Sequence, residues 1–257
     1  MLLPFKVKAP RHNGLNTVTN GAMDYLSLDL LRLGLNDKFE FNTTECEAAI
    51  IPFSGCADIE VNGEIFRLER KDIFTESASA LLIPRNTKVR FSSSLSAELA
   101  ICKAKTDVDG EVIYIPKAGV KEKTVGKGIW ERKVVDIIDS KVGASRIILG
   151  ETFNQPGGWS SFPPHKHDTI IPGKEAKMEE IYLFRIDKPE GFGTQTIYND
   201  KNNFSFKIED YDAVAIPWGY HPVSVMPGYS LYYLWFLAGE GRTLMPNTDP
   251  NYKWLEE

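Results

Sequence analysis

Short apolar runs broken by turn residues recur along almost the whole chain, and helical periodicity is nearly absent. That alternation limits the available folds more than any other feature. The runs in the first half are Leu26 to Leu33, Ala48 to Phe53, Ala57 to Val61, Ile65 to Leu68, Ala80 to Ile83, Lys88 to Phe91 and Leu99 to Lys103. Those in the second half are Arg146 to Phe153, Glu180 to Arg185, Thr194 to Tyr198, Ser205 to Ile208, Ala213 to Ile216, Val223 to Val225 and Leu231 to Leu237. Such regular short strands predict a sandwich or barrel. Asn62-Gly63 predicts a two-residue hairpin, because both residues tolerate positive φ. Residues 1–23, rich in Pro, Gly and Asn, are read as an irregular arm, and the C-terminal tail as one short helical turn.

The runs fall into two groups. Between them lies a Lys- and Gly-rich stretch with poor apolar periodicity, from Lys117 to Lys133, read as a linker or a surface loop. With the linker taken as 119–133, the domains run over 1–118 and 134–257. A chain of 257 residues is long enough for two domains that each bury a core. Laying Leu82-Ile83-Pro84-Arg85-Asn86-Thr87-Lys88-Val89 over Ala215-Ile216-Pro217-Trp218-Gly219-Tyr220-His221-Pro222 brings the two Ile-Pro pairs into register and sets Lys88 where His221 falls. The alignment implies a duplicated β unit of which only the second copy keeps its imidazole.

A net charge of −5 without a basic run argues against nucleic acid and against an anionic membrane surface, leaving a small molecule as the expected partner. Cys46, Cys56 and Cys102 are odd in number and include no Cys-x-x-Cys pair, so they read as reduced thiols. The opening Met-Leu-Leu-Pro-Phe-Lys has no long apolar region, and the run Leu231 to Ala238 is too short to span a bilayer. A cytoplasmic location is expected. Exposed strand edges leave a homo-oligomer open.

Of the four histidines, His165 and His167 stand one residue apart in Phe162-Pro163-Pro164-His165-Lys166-His167-Asp168, His221 follows in Pro217-Trp218-Gly219-Tyr220-His221-Pro222, and only His12 lies elsewhere. In an extended segment His165 and His167 project from one face, since side chains alternate with a period of two, and Lys166 points away. Two converging imidazoles suit a divalent metal. Glu180 opens an apolar run and shares a face with Tyr182 and Phe184, while Glu179 turns the other way. The predicted metal set is His165, His167, Glu180 and His221, with Glu179 and Glu175 as alternative carboxylates.

This arrangement resembles the cupin superfamily, whose motifs supply His-x-His, a downstream Glu and a later His after Pro-x-Gly. Pro172 stands where cupins commonly place the Glu, so Glu180 comes after a longer insertion. The segments FPPHKHD, EEIYLFRI, GFGTQ, PWGYHPV, PGYSLYYLW and DPNYKW are similar to the 5-deoxy-glucuronate isomerases of myo-inositol catabolism, in order from about Trp159 to Trp254. The resemblance implies an all-β fold of two cupin-type β-barrel (jelly-roll) domains in one chain, with metal ligands in the second only.

It further implies an isomerase that turns the aldehyde sugar acid 5-deoxy-glucuronate into 5-dehydro-2-deoxy-gluconate, with Zn, Mn or Fe as the metal. Tyr182 and Arg185 are the catalytic candidates on the motif strand. Gln195, Arg242 and Lys166 are candidates for holding substrate, Arg242 as a partner for its carboxylate. The competing readings are an isomerase of 4-deoxy-hexosulose uronates from pectin breakdown, a cupin dioxygenase and a sugar-binding cupin without turnover.

Overall fold

The computed structural model describes residues 2–256, so the outermost residues of the two expected domains, 1 and 257, lie outside the described residues. The first ten strands are β1 (Phe5–Lys8), β2 (Gly14–Thr19), β3 (Leu26–Leu33), β4 (Lys38–Asn42), β5 (Cys46–Val61), β6 (Glu64–Arg70), β7 (Ala80–Ile83), β8 (Lys88–Ser92), β9 (Ala97–Lys105) and β10 (Ile113–Ile115). Twelve follow: β11 (Lys121–Val125), β12 (Arg132–Ile138), β13 (Ile148–Asn154), β14 (Trp159–Ser160), β15 (His165–Lys166), β16 (Met178–Ile186), β17 (Gly193–Tyr198), β18 (Asn203–Ile208), β19 (Asp212–Ile216), β20 (Val223–Val225), β21 (Leu231–Gly239) and β22 (Asn247–Thr248). They build two compact units. One holds Ala9–Lys121 with Ile137–Ile148, and the other holds β1, Glu122–Asp136 and the chain from Leu149 onward.

In the first unit a nine-stranded sheet runs β10-β7-β5-β9-β3-β2, with β6 and β8 also paired to β5 and β4 paired to β8. Its interior is aliphatic and aromatic, with Leu31, Ile50, Ile59, Leu81, Phe91 and Leu99 all buried, which is what alternating apolar positions on facing strands produce. Lys88 lies on its surface, 2.7 Å from Glu40. The segments Ala48–Phe53 and Ala57–Val61, read as separate strands, are one strand with a register shift between Pro52 and Ser54. The reason is local: Pro52 cannot donate to a ladder, and proline inside a strand is confined to edges and bulges. Gly55, at φ +79°, completes the bend, since a Cβ there would lie 1.8 Å from the Ser96 carbonyl oxygen. Asn62 and Gly63 turn at φ 53° and 85° and connect β5 to β6 as a two-residue hairpin.

In the second unit a seven-stranded sheet runs β1-β19-β16-β21-β13-β12-β11, and a four-stranded sheet runs β14-β20-β17-β18. The central strands β16, β19 and β21 are buried along nearly their whole length. Two expectations change here. The arm 1–23 contains β1, which pairs antiparallel with β19 from Phe5 opposite Ala215 to Lys8 opposite Asp212. Lys6 and Lys8 reach the buried Asp212 carboxylate at 2.9 and 3.0 Å, so an ion pair formed far away in sequence fixes that edge. The stretch 119–133 contains β11, an edge strand of the seven-stranded sheet with residues 121–124 exposed. An edge strand with little burial needs no apolar periodicity, and so it resembles a linker. The tail forms the short 3-10 helix Pro250–Glu256.

Candidate metal centre

Three ligand-type side chains converge inside the second unit. His167 Nε2 lies 3.1 Å from Glu180 Oε2, and His221 Nε2 lies 3.3 Å from the same oxygen. The donor atoms of these three buried residues all fall within 4.8 Å of one another. His165 borders the group, its ring packed edge-on against His221 at 4.9 Å between centroids. It lies outside the tight triad but lines the same cavity of about 260 Å³ as His167 and Glu180.

The backbone orients each imidazole in the same sense. Nδ1 faces a carbonyl oxygen in all three: Pro163 at 3.3 Å for His165, Met178 at 3.0 Å for His167 and Gly219 at 2.8 Å for His221. A ring whose Nδ1 faces a carbonyl carries its hydrogen there and presents a lone pair from Nε2. His221 Nε2 is buried and makes no hydrogen bond. Two lone pairs and a carboxylate oxygen thus point at one another, an arrangement that repels unless a cation sits among them.

The electrostatics reflect the same crowding. Burial, with the neighbouring His167, lowers the His165 pKa to about 4. Burial, then His165 and His167, pushes His221 well below its ordinary value. Burial alone would also lower His167, but the Glu180 carboxylate beside it holds it above the usual value. Glu180 is raised by burial against the pull of His167. A divalent cation among these donor atoms would relieve the repulsion, and two imidazole nitrogens with a carboxylate are a donor set that fits one.

The scaffold explains the convergence. Strand β16 pairs with β19 and β21, which sets Glu180 and Tyr182 on its inner face. The loop with the two histidines is tied down by Asp168, whose Oδ2 accepts the Gly219 amide at 2.8 Å, and β15 pairs with β22. Gly219 sits at φ +93°, and a Cβ there would lie 2.7 Å from the Tyr198 carbonyl oxygen.

The remaining candidates distribute as follows. Tyr182 lines the cavity, with its hydroxyl 2.8 Å from Ser161 Oγ. Burial, with Glu180 nearby, raises its pKa well above the ordinary phenol value. Arg185 is on the other face of β16, its Nε 2.8 Å from Asp210 Oδ1 and its guanidinium over the Tyr211 ring. Lys166 turns away from the cavity and binds Asp168 at 2.5 Å and Glu175 at 2.7 Å. Gln195 is buried and donates to the His221 carbonyl at 2.7 Å, which supports the turn. Arg242 is half-buried and is not among the residues lining the cavity.

Of the alternative carboxylates, Glu175 is occupied by Lys166, the Asp168 and Thr169 amides and Asn247. Several cavity residues carried no signal in the sequence reading: Arg132, Asp136, Ser161 and Tyr233. The first two, with Val134 between them, share one face of β12, and that period of two was the available sign.

Two jelly-roll-like β units in one chain, the second enclosing a His/Glu cluster, define a protein of the bicupin class. The profile of the KduI/IolB family matches residues 5–255, and the chain belongs to that family. It is 31% identical over 248 residues to a 5-deoxy-glucuronate isomerase of Geobacillus thermodenitrificans, covering 94% of this chain and 90% of that one. The crystal structure of an IolB-like protein from Salmonella typhimurium LT2 superposes with a TM-score of 0.93 at 27% identity, over 98% of this chain and 99% of that chain. Oxalate decarboxylase of Lactobacillus farciminis, at 14% identity and a TM-score of 0.67 over 99% and 90% of the chains, shares the fold.

Proposed function

We propose that this protein is an intramolecular aldose-ketose isomerase that converts 5-deoxy-glucuronate into 5-dehydro-2-deoxy-gluconate in myo-inositol catabolism, with a divalent Zn, Mn or Fe ion held by His165, His167, Glu180 and His221. The observation that carries the metal reading is the convergence of His167 Nε2, His221 Nε2 and Glu180 Oε2, with every Nδ1 turned to a carbonyl. The activity rests on the family and on the named isomerase relative. Only the second unit carries a ligand set among the described residues. Three free cysteines agree with a reducing, cytoplasmic setting.

The reaction moves a proton from the carbon beside the aldehyde to the aldehyde carbon and one from the adjoining hydroxyl to the aldehyde oxygen, so negative charge develops on these two oxygens in the enediolate between. The bound metal would supply Lewis-acid stabilisation of that charge. Burial favours the neutral phenol of Tyr182, whose hydroxyl, 2.8 Å from Ser161 Oγ, would exchange a proton with a substrate oxygen. Tyr233, 3.4 Å from the same Ser161 oxygen, extends this hydroxyl chain. Tyr182, Tyr233 and Trp235 wall the cavity with aromatic surface and limit water around the reacting carbon.

The test is anaerobic incubation of the protein, loaded in turn with Zn, Mn and Fe, with 5-deoxy-glucuronate, followed by NMR. Conversion to the 2-keto isomer without oxygen is expected. No conversion with any of the three metals would overturn the reading, and turnover of a 4-deoxy-hexosulose uronate alone would reassign the substrate.

A further inference from the structure

The cavity beside the His/Glu cluster holds two cationic side chains outside the histidine group, Lys123 and Arg132. They differ in one respect. Lys123 Nζ is 2.6 Å from Asp136 Oδ2, so its charge is already matched. Arg132 has no acidic partner among the described residues. Both of its hydrogen bonds leave from Nη1, to the backbone oxygens of Phe162 at 2.9 Å and Trp130 at 3.1 Å. Nε and Nη2 remain to meet a guest.

A half-buried guanidinium without a counter-ion is costly, and burial lowers its pKa here. The scaffold nevertheless holds it in place. Gly126, at φ +87°, lets the chain close on it, since a Cβ there would lie 2.5 Å from the Trp130 ring and 2.8 Å from Arg132 Nη1. Phe162, whose carbonyl receives Arg132, immediately precedes the segment that carries His165 and His167. The cation is thus anchored to the same loop as the imidazoles. A planar fork with two free edges matches a carboxylate in a bidentate manner.

We infer that Arg132 binds the carboxylate of the substrate and thereby selects aldehyde sugar acids over neutral aldoses. This inference rests on the isomerase reading of the same cavity. The cluster takes the aldehyde end, and Arg132 takes the acid end. Arg185 and Lys166 are excluded from this role by their ion pairs with Asp210 and with Asp168 and Glu175, and Lys123 by its pair with Asp136.

The experiment compares the metal-loaded full chain with its Arg132→Gln and Arg132→Lys variants on 5-deoxy-glucuronate and on 5-deoxy-glucose, which replaces the carboxylate by CH2OH. Metal content and circular dichroism establish that each variant is folded and loaded. For Arg132→Gln the KM for the acid is expected to rise about 10- to 100-fold, as for loss of a hydrogen-bonded charge, while kcat/KM for the neutral sugar stays within about 2-fold. Arg132→Lys keeps the charge but not the fork and falls between. Equal losses on both sugars, or none on the acid, would overturn the assignment. If the wild type turns over neither sugar, the isomerase reading fails on its own, and calorimetry with D-glucuronate still decides Arg132. Binding to the wild type but not to Arg132→Gln sustains the role, and equal binding to both removes it.

Discussion

Asp168 and His221 are joined through a single residue. Asp168 Oδ2 accepts the Gly219 amide at 2.8 Å, and the Gly219 carbonyl receives His221 Nδ1 at 2.8 Å. The loop that carries His165 and His167 therefore also aims the third imidazole, although His221 follows 54 residues after His167. Asp168→Ala should loosen His221 without touching a ligand. Partners of this kind change metal affinity by about 10- to 100-fold. A loss of that size, measured by competition with a chelator while circular dichroism is unchanged, is the expected outcome. Undiminished metal retention would show that His221 is aimed by other contacts.

Glu180→Gln separates metal binding from folding. The carboxylate is buried, and burial raises its pKa, so a charge there costs stability when no cation compensates it. A neutral amide removes that cost and offers a hydrogen to an imidazole lone pair. The variant should lose bound metal by elemental analysis, whereas His12→Ala, at an exposed position, should keep it. The metal-free variant should melt at or above the temperature of the metal-free wild type. A much lower melting temperature would mean that Glu180 is structural first.

The parts of the molecule legible in its sequence are those whose chemistry is local. β7 coincides with the run Ala80–Ile83, whose burial over its whole length leaves an unbroken apolar signature, and β3 and β20 coincide with Leu26–Leu33 and Val223–Val225, where buried apolar residues are spaced by polar ones. His165, His167, Glu180 and Tyr182 line one cavity as the period of two requires. What escaped depends on distant partners. β1 is held by Asp212, two hundred residues away in order of magnitude of sequence separation, and β11 is an exposed edge. Arg132 lies inside the stretch 117–133 read as lacking apolar periodicity, and it is held by two backbone carbonyls that no side-chain spacing encodes.

The three thiols should report the fold of the first unit as pH rises. Cys46 and Cys102 are buried and Cys56 is half-buried. Burial raises the Cys56 pKa, with Arg67 opposing and Asp58 and Glu69 reinforcing it. A raised pKa keeps the unreactive thiol form to higher pH than for a free cysteine, whose midpoint is about 8.5. Alkylation of the native protein by iodoacetamide, followed by mass spectrometry, should therefore label Cys56 first. Its rate should rise with a midpoint above about 8.5. A midpoint at or below the free value, or labelling of Cys102 before Cys56, would contradict this account.

Tyr182→Phe tests the hydroxyl chain. The phenylalanine keeps the ring packing, which places Tyr182 at 4.5 Å from the Tyr233 ring and 5.8 Å from the Phe184 ring between centroids. It removes only the oxygen that meets Ser161 at 2.8 Å. Positioned acid-base groups contribute about 10²- to 10⁴-fold to rate. If the Tyr182 hydroxyl exchanges the proton with a substrate oxygen, kcat should fall by about 10²-fold or more while KM, metal content and melting temperature change little. Ser161→Ala, which leaves the phenol in place but removes its neighbour, should lower kcat less. An unchanged kcat in Tyr182→Phe would move the proton transfer to another group. A parallel loss of metal would instead assign the tyrosine to supporting Glu180, the neighbouring carboxylate that helps raise its pKa.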